Sequence, residues 1–291
     1  MDDADRQDEP GAPLGLVAGA GGLPGEALRA LQHAGVAVEV LGFAGITDSD
    51  LCEPDETLVL GQLAALEEAL ERRKLRRLLI VGRFSKALLF SSNHLISPDA
   101  EAIRLLQAAG GWDDEGLIGI IARWLEARNF EIARQDHLLA PMLAQSGLLS
   151  ARSPSEAERL DLEVGRGVVE QLGRVGVGQC AAIRKGCVIA LEAVEGTDAM
   201  IRRAGEVGGA GATIVKSSRP NQDRRFDLPA VGMETLREMQ HAGATALAVE
   251  AGSTLMLGGT GFRERADELG IAVWGFEQES SSRSFDDEEV V

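Results

Sequence analysis

A β-branched run, Thr213-Ile214-Val215, ends in Lys216, and the thirteen residues after it, Ser217 to Pro229, fit neither a strand nor a helix. They carry five formal charges and two prolines, with Phe226 and Leu228 as the only large apolar groups. Gly232 then precedes Met233-Glu234-Thr235-Leu236, which opens a helical pattern. A strand running into a long charged loop before the next helix belongs at the carboxyl edge of an α/β sheet, where such proteins bind ligands. Asp223 and Asp227 are oxygen donors of the hardness Mg²⁺ prefers, whereas Lys216, Arg219, Arg224 and Arg225 can neutralise phosphate oxygens. Chemistry on a phosphate ester or anhydride needs both kinds of group together. The alternative is a solvated loop whose acids and bases pair with each other.

Upstream, LGLVAGAGGLPGEALRALQHAG (14–35) reads as strand, glycine turn and helix. Gly19, Gly21 and Gly22 allow close backbone approach, and such a turn can present helix N-terminal amides to a phosphate. The spacing G-x-G-G-x-x-G is near the dinucleotide fingerprint, with Pro24 inside it; a plain sheet-to-helix turn explains it equally well. A dinucleotide site would want an acid near the end of the second strand, 36–43. Glu39 is inside that strand and Asp48 lies in the following loop, which counts against a nicotinamide cofactor. Helix 61–75 places Leu63, Leu66 and Leu70 on one face, strand 75–84 ends in Gly82-Arg83, and Ser97-Pro98 signals a helix start. A further amphipathic helix spans 113–130, with Trp112 and Trp124 expected as core contacts.

Proline, glycine and serine cluster in 138–154 as periodicity weakens. Beyond them come a helix over 153–175 opened by Ser153-Pro154, with Ser155 a second cap candidate, a hairpin turning at Lys185-Gly186, and a helix capped at Thr197 or Asp198. Glu192, Glu195 and Asp198 gather where strand passes to helix, as metal ligands or a general base, or as a cap with solvated neighbours. The expected architecture is α/β. An N-terminal Rossmann-like parallel sheet domain (14–138), a linker (139–154) and a C-terminal α/β catalytic domain (155–277) lie between acidic disordered tails, 1–13 and 278–291.

The formal net charge of -17 argues against nucleic acid as a partner. No apolar run approaches the ~18 residues of a spanning helix. The acidic start lacks the basic region of a signal peptide. Cys52, Cys180 and Cys187 form neither a disulfide framework nor a spaced zinc motif, the last two reading as core residues in a reducing compartment. His33, His94, His137 and His241 are dispersed, and there is no G-x-S-x-G or P-loop lysine motif.

Taken together, GLVAGAGGLP (15–24), GQL (61–63), DDEGLIGIIARWLEARNFE (113–131) and SPSEAERLDLEVGRGVVEQLGRVGVGQ (153–179) match a known pattern. So do AVEGTDAMIRRAG (193–205), VKSSRPNQDRRFDLPAVGMETL (215–236) and AVEAGSTLML (248–257). The chain resembles the UDP-2,3-diacylglucosamine diphosphatase family of lipid A biosynthesis, in its metal-dependent form unrelated to metallophosphoesterases. The resemblance covers about residues 14–276, and E-G-T-D with K-x-x-x-P-x-Q-D-x-R-x-D-L-P-x-x-G are its specific motifs. It implies hydrolysis of the substrate's pyrophosphate to 2,3-diacylglucosamine 1-phosphate and UMP, Mg²⁺ or Mn²⁺ as cofactor, and a lipid-linked nucleotide sugar held between two domains. It also implies a cytoplasmic protein in transient contact with the inner membrane, compatible with a homo-oligomer. By position, Asp223 is the first and Asp227 the second candidate for the critical aspartate. Lys216, Arg219, Arg224, Gly19, Gly21 and Gly22 would face phosphate. Gln222, Thr197, Gln62 and Arg83 would contact substrate, and Asp223, Asp227, Glu195 and Asp198 would hold metal. The run GRFSKALLF (82–90) departs from the family's G-R-V-x-R-P, and the segment after Phe43 is short and carries Asp48, Asp50, Glu53 and Asp55. Rival readings are a nucleotide-dependent oxidoreductase and a non-catalytic nucleotide-sugar binding protein.

Overall fold

The computed structural model describes residues 12–84, 96–108, 116–220 and 222–278. Trp112, His94, the later part of the divergent 82–90 run and nearly all of both tails lie outside the described residues. The first sheet contains β1 (Leu14–Ala18), β2 (Val38–Phe43), β3 (Glu56–Leu58), β4 (Arg77–Val81) and β5 (Glu131–Ile132). Its order is β3-β2-β1-β4-β5 and every neighbouring pair is parallel. All of β1 is buried, as a strand covered on both faces must be. Val17 faces the layer formed by α2 (Leu63–Arg72) and α4 (Gly116–Glu126), whereas Leu14 and Leu16 face α1 (Leu23–His33). The strand order reverses between β1 and β4, leaving a crevice at their carboxyl ends.

The second sheet has the order β6-β13-β11-β9-β7-β8. Its centre, β9 (Thr213–Lys216), β11 (Ala246–Glu250) and β13 (Ala272–Phe276), is parallel. β6 (Gly147–Leu148), β7 (Cys180–Arg184) and β8 (Cys187–Leu191) pair antiparallel at the flanks. One face packs Ile214, Leu247 and Val249 under α7 (Thr197–Gly208) and α8 (Met233–Ala242) through Met200, Ile201, Leu236 and Met239. The other packs Val215 and Ala248 under α6 (Glu156–Arg174). Here α6 lies so close that a Cβ on Gly165 would collide with the Val215 side chain. A small parallel pair, β10 (Ala230–Val231) and β12 (Leu255–Met256), sits between the sheets. Leu228 and Leu255 join Leu14, Leu16 and Leu139 in one buried cluster, so the lobes share an apolar seam.

Local signals shifted by a residue or two. Asp99, rather than Ser97, caps α3 (Ala100–Ala108): its carboxylate accepts the Ala102 and Ala64 N–H groups at 2.8 Å each. Ser155 caps α6 in a reciprocal box with Glu158. The Lys185-Gly186 turn has φ of 52° and 73°, the left-handed pair a two-residue hairpin requires. Gly196, with φ of 82°, is the residue before α7, and neither Thr197 nor Asp198 caps it. Cys180 is buried as expected; Cys187 is exposed, because β8 is an edge strand whose outer residues have no covering layer. Trp124 is buried, donating its indole N–H to Glu101 at 3.0 Å. Among the described residues no helix is long and apolar enough to cross a membrane.

The segment joining the lobes is tied down by Arg152. Its guanidinium donates to both oxygens of Glu158, at 2.9 and 2.8 Å, and Thr245 Oγ1 donates to Glu158 at 2.6 Å. Burial alone would raise the Glu158 carboxyl, but these donors outweigh it and bring the pKa from 4.5 down to about 2. At about 1.4 kcal/mol per pH unit this corresponds to roughly 3 kcal/mol. Because the folded value is the depressed one, the contribution is complete above the unfolded value and is lost as pH falls toward 2. Chemical denaturation from pH 7 to pH 2.5 should therefore show a steeper acid loss of stability in the wild type than in Glu158→Gln. Parallel curves for the two proteins would contradict the assignment.

Candidate functional site

The loop 217–229 leaves β9 at the carboxyl edge of the second sheet and crosses to the carboxyl edge of the first. One carboxylate and one amide hold it. Glu250, buried at the end of β11, accepts from Ser217 Oγ at 2.5 Å, Ser218 N–H at 2.8 Å and Ser218 Oγ at 2.8 Å, and its other oxygen accepts from Ser253 Oγ at 2.8 Å. Gln135 is 1% exposed, and its amide donates to the Ile80 carbonyl at 2.8 Å while accepting from Leu228 N–H at 3.2 Å. Its backbone N–H also donates to the Arg224 carbonyl at 3.0 Å. Gln135 therefore ties β4 of one lobe to the loop of the other. Glu26 of α1 adds a second tie, accepting from Gly258 N–H at 2.6 Å.

The glycine turn lies directly across the crevice. Ala20 and Arg83 exchange backbone hydrogen bonds of 3.0 and 2.9 Å, which folds the turn after β1 against the end of β4. Gly21 has φ of 92°, and a Cβ there would lie 3.7 Å from the Arg83 guanidinium, so that side chain lies over the turn. A Cβ at Gly19 would meet the Phe84 ring at 2.7 Å, whereas Gly22 has open space around it. Arg83 also acts electrostatically on Asp198, at the first turn of α7 in the other lobe. The turn, Arg83, Asp198 and Lys216 thus converge from two domains.

The predicted acids divide by partner. Asp223 is gripped by Arg225, whose guanidinium donates to it at 2.9, 3.0 and 2.6 Å. Burial alone would raise the Asp223 carboxyl, but Arg225 outweighs it and holds it below the usual range. Arg225 also pairs with Glu126 across the lobes. Asp227 pairs with Arg219, and Gln222 donates its amide to the Asp227 carbonyl. Its side chain is 46% exposed, yet surrounding protein still raises its carboxyl against the pull of Arg219. Asp198 is also raised, first by burial, with Lys216 and Arg83 opposing and Glu234 and Glu238 reinforcing. Glu195 is turned outward to Arg203 at 2.6 Å.

Asp223 and Asp227 are thus each paired with an arginine of the loop, as the alternative reading had it, and the four proposed metal ligands do not form one cluster. Among the described residues no three His, Cys, Asp or Glu side chains are placed to hold an ion by themselves. Arg224 is only loosely held, 3.4 Å from Asp136 and 3.4 Å from Ser253, so its guanidinium is available to a ligand. Thr197 is engaged by Lys216 and Glu192, and Gln62 precedes α2 beside a small apolar cavity lined by Phe43 and Phe84. Sequence reading missed Glu250, Gln135, Arg134 and Asp136. Arg134 grips Asp136 at 2.6 Å next to Arg224, but its only sequence signal was an unremarkable ARQDH run.

This is a two-lobed α/β protein that gathers acids and cations of both lobes near the carboxyl edges of its sheets. Residues 13–142 match the LpxI N-terminal domain and residues 145–274 the LpxI C-terminal domain. UDP-2,3-diacylglucosamine pyrophosphatase LpxI of Caulobacter vibrioides is 30% identical over 274 residues, covering 90% of this chain and 96% of that protein. The chain belongs to the LpxI family of lipid A biosynthesis pyrophosphatases.

Replacing Gln135 by alanine would leave the Ile80 carbonyl and the Leu228 N–H buried without partners, a cost of about 2–4 kcal/mol. Gln135→Ala should lower the denaturation midpoint and speed tryptic cleavage at Arg224 or Arg225. Unchanged cleavage at these sites would show that the loop is held by other contacts.

Proposed function

We propose that the chain hydrolyses the pyrophosphate bond of UDP-2,3-diacylglucosamine, yielding 2,3-diacylglucosamine 1-phosphate and UMP, with the diphosphate in the cleft between the lobes. One observation carries this reading within the family: Arg83 on the first lobe and Lys216 on the second both act on Asp198. A diphosphate bridging the lobes would meet cations from each. The open backbone at Gly22 and the guanidinium over Gly21 suit one phosphate, and Arg224 the other. The nucleotide at one end and the acyl chains at the other would make the substrate a lipid-linked one, met at a membrane surface.

Among the aspartates the geometry favours Asp227 over Asp223. A carboxylate gripped by Arg225 and held below its usual range is a poor proton acceptor. One that reaches solvent, with its carboxyl raised even against its Arg219 partner, better suits orienting and deprotonating water. Asp223 then acts as a strut, holding Arg225 against Glu126.

The divalent cation implied by the family resemblance fits Asp198, a hard oxygen donor with no arginine paired to it among the described residues, if substrate phosphates complete the shell, as Mg²⁺ commonly requires; Asp227 would join it only by exchanging Arg219 for the metal. Glu195, occupied by Arg203, does not fit. Mg²⁺ or Mn²⁺ would neutralise phosphoryl charge there. The cations of the chain bind and orient the diphosphate, and the protein around Asp227 limits its hydration.

The test is UMP release from UDP-2,3-diacylglucosamine in mixed micelles, with and without EDTA. Asp227→Asn should lower kcat by about 100-fold or more, Asp223→Asn by clearly less, and EDTA should abolish turnover reversibly. Wild-type rates in Asp227→Asn would remove it from the chemistry, and no UMP with either metal would remove the reaction.

A further inference from the structure

We infer that Glu192 is a positioning residue that acts through the Thr197 hydroxyl to orient the Lys216 ammonium toward the cleft. The inference rests on the proposed role of Lys216 at the diphosphate and extends it to a residue outside the contact set above.

Lys216 is 6% exposed at the end of the central strand β9, on the sheet face covered by α7 and α8. Its ammonium donates to Thr197 Oγ1 at 2.9 Å and to the Ala230 carbonyl at 3.0 Å. An ammonium has three N–H bonds, so one remains, and Asp198 on the cleft side senses this charge. The direction of the chain of bonds is set by chemistry. Thr197 donates its single proton to Glu192 Oε1 at 2.8 Å, so its lone pairs are left to accept from lysine. Removing the acceptor at 192 would free the hydroxyl to rotate, and its proton could then oppose the ammonium.

Glu192 is itself fixed. It is 7% exposed and its second oxygen accepts from Gln179 N–H at 3.2 Å. The Gln179 carbonyl accepts from Ser217 N–H at 3.0 Å, and Glu192 N–H donates to Cys180 at 2.9 Å. Gly178 allows this approach, since a Cβ there would collide with the Glu192 carbonyl. The carboxylate therefore belongs to the frame of β7 and β9, and Thr197, at the first position of α7, transmits that frame to Lys216. A buried ammonium beside the positive end of a helix also needs negative charge nearby. Glu192 and Asp198 are the acids that supply it, with Glu234 and Glu238 further along the same face.

The test uses the full chain with Glu192→Gln, Thr197→Val, Thr197→Ser and the Glu192→Gln/Thr197→Val pair. Folding is checked by circular dichroism and thermal unfolding, UDP affinity by calorimetry, and turnover by UMP release. Glu192→Gln and Thr197→Val should each weaken UDP affinity and kcat/KM by about 10- to 100-fold, the range for a lost charge-assisted hydrogen bond. The pair should lose no more than the worse single variant, because both act on one bond chain. Thr197→Ser, which keeps the hydroxyl, should stay within about threefold of wild type. A fall in melting temperature with UDP affinity and turnover unchanged, or losses that multiply in the pair, would overturn the inference. If Glu192→Gln does not fold, the contrast between Thr197→Val and Thr197→Ser decides. A wild type that binds UDP but releases no UMP removes the proposed reaction and leaves the affinities to judge Glu192; one that does not bind UDP removes both.

Discussion

The arrangement depends on one strap: a charged loop from the second sheet that buries Leu228 in the core of the first lobe. Leu228 joins Leu16 and Leu139, and Phe226 packs against the cluster on the other face of the same sheet. These two side chains are the only large apolar groups in a stretch otherwise too polar to bury. Alternating with Arg225 and Asp227, they pull the loop down at two points and leave the charges between them at the cleft. Gln135 completes the fastening with hydrogen bonds to both lobes, which a wholly apolar contact could not direct.

The charges in this cleft are organised by competition. Arginines on the loop satisfy acids on the loop, as Arg225 does for Asp223 and Arg219 for Asp227, which keeps the site soluble and ordered without a ligand. Asp198 and Asp227 both have raised carboxyl pKa values, because protein displaces water around them more than Lys216 and Arg83 compensate at the first and Arg219 at the second. Lys216 and Arg83 reach the same region from opposite lobes. A bridging anion would relieve the repulsion between those cations, whereas an uncharged ligand would not, which gives the cleft a preference by charge before any specific contact is made.

Several features were legible in the chain. The buried β1 run, the Leu63, Leu66 and Leu70 face and the Lys185-Gly186 turn are local signals with local causes, and the structure keeps them. Where such signals compete within three residues, the winner depended on what lay across space. Asp99 displaces Ser97 as a cap because it also reaches Ala64 in a different helix. Thr197 gives up capping because Glu192 and Lys216 claim its hydroxyl.

Sequence by itself determined that two α/β units would form and that a charged loop would stand at a carboxyl edge, since period, glycine placement and β-branching act over a few residues. The family motifs likewise named Lys216, Asp223 and Asp227. Only the tertiary structure decided which arginine takes which aspartate of the loop, that the Arg83 charge reaches Asp198 across the lobes, and that Glu250, Gln135 and Glu192 hold the site from behind. Those outcomes rest on distances between residues up to 115 positions apart, such as Arg83 and Asp198, and on desolvation, which depends on how the whole chain packs around a group.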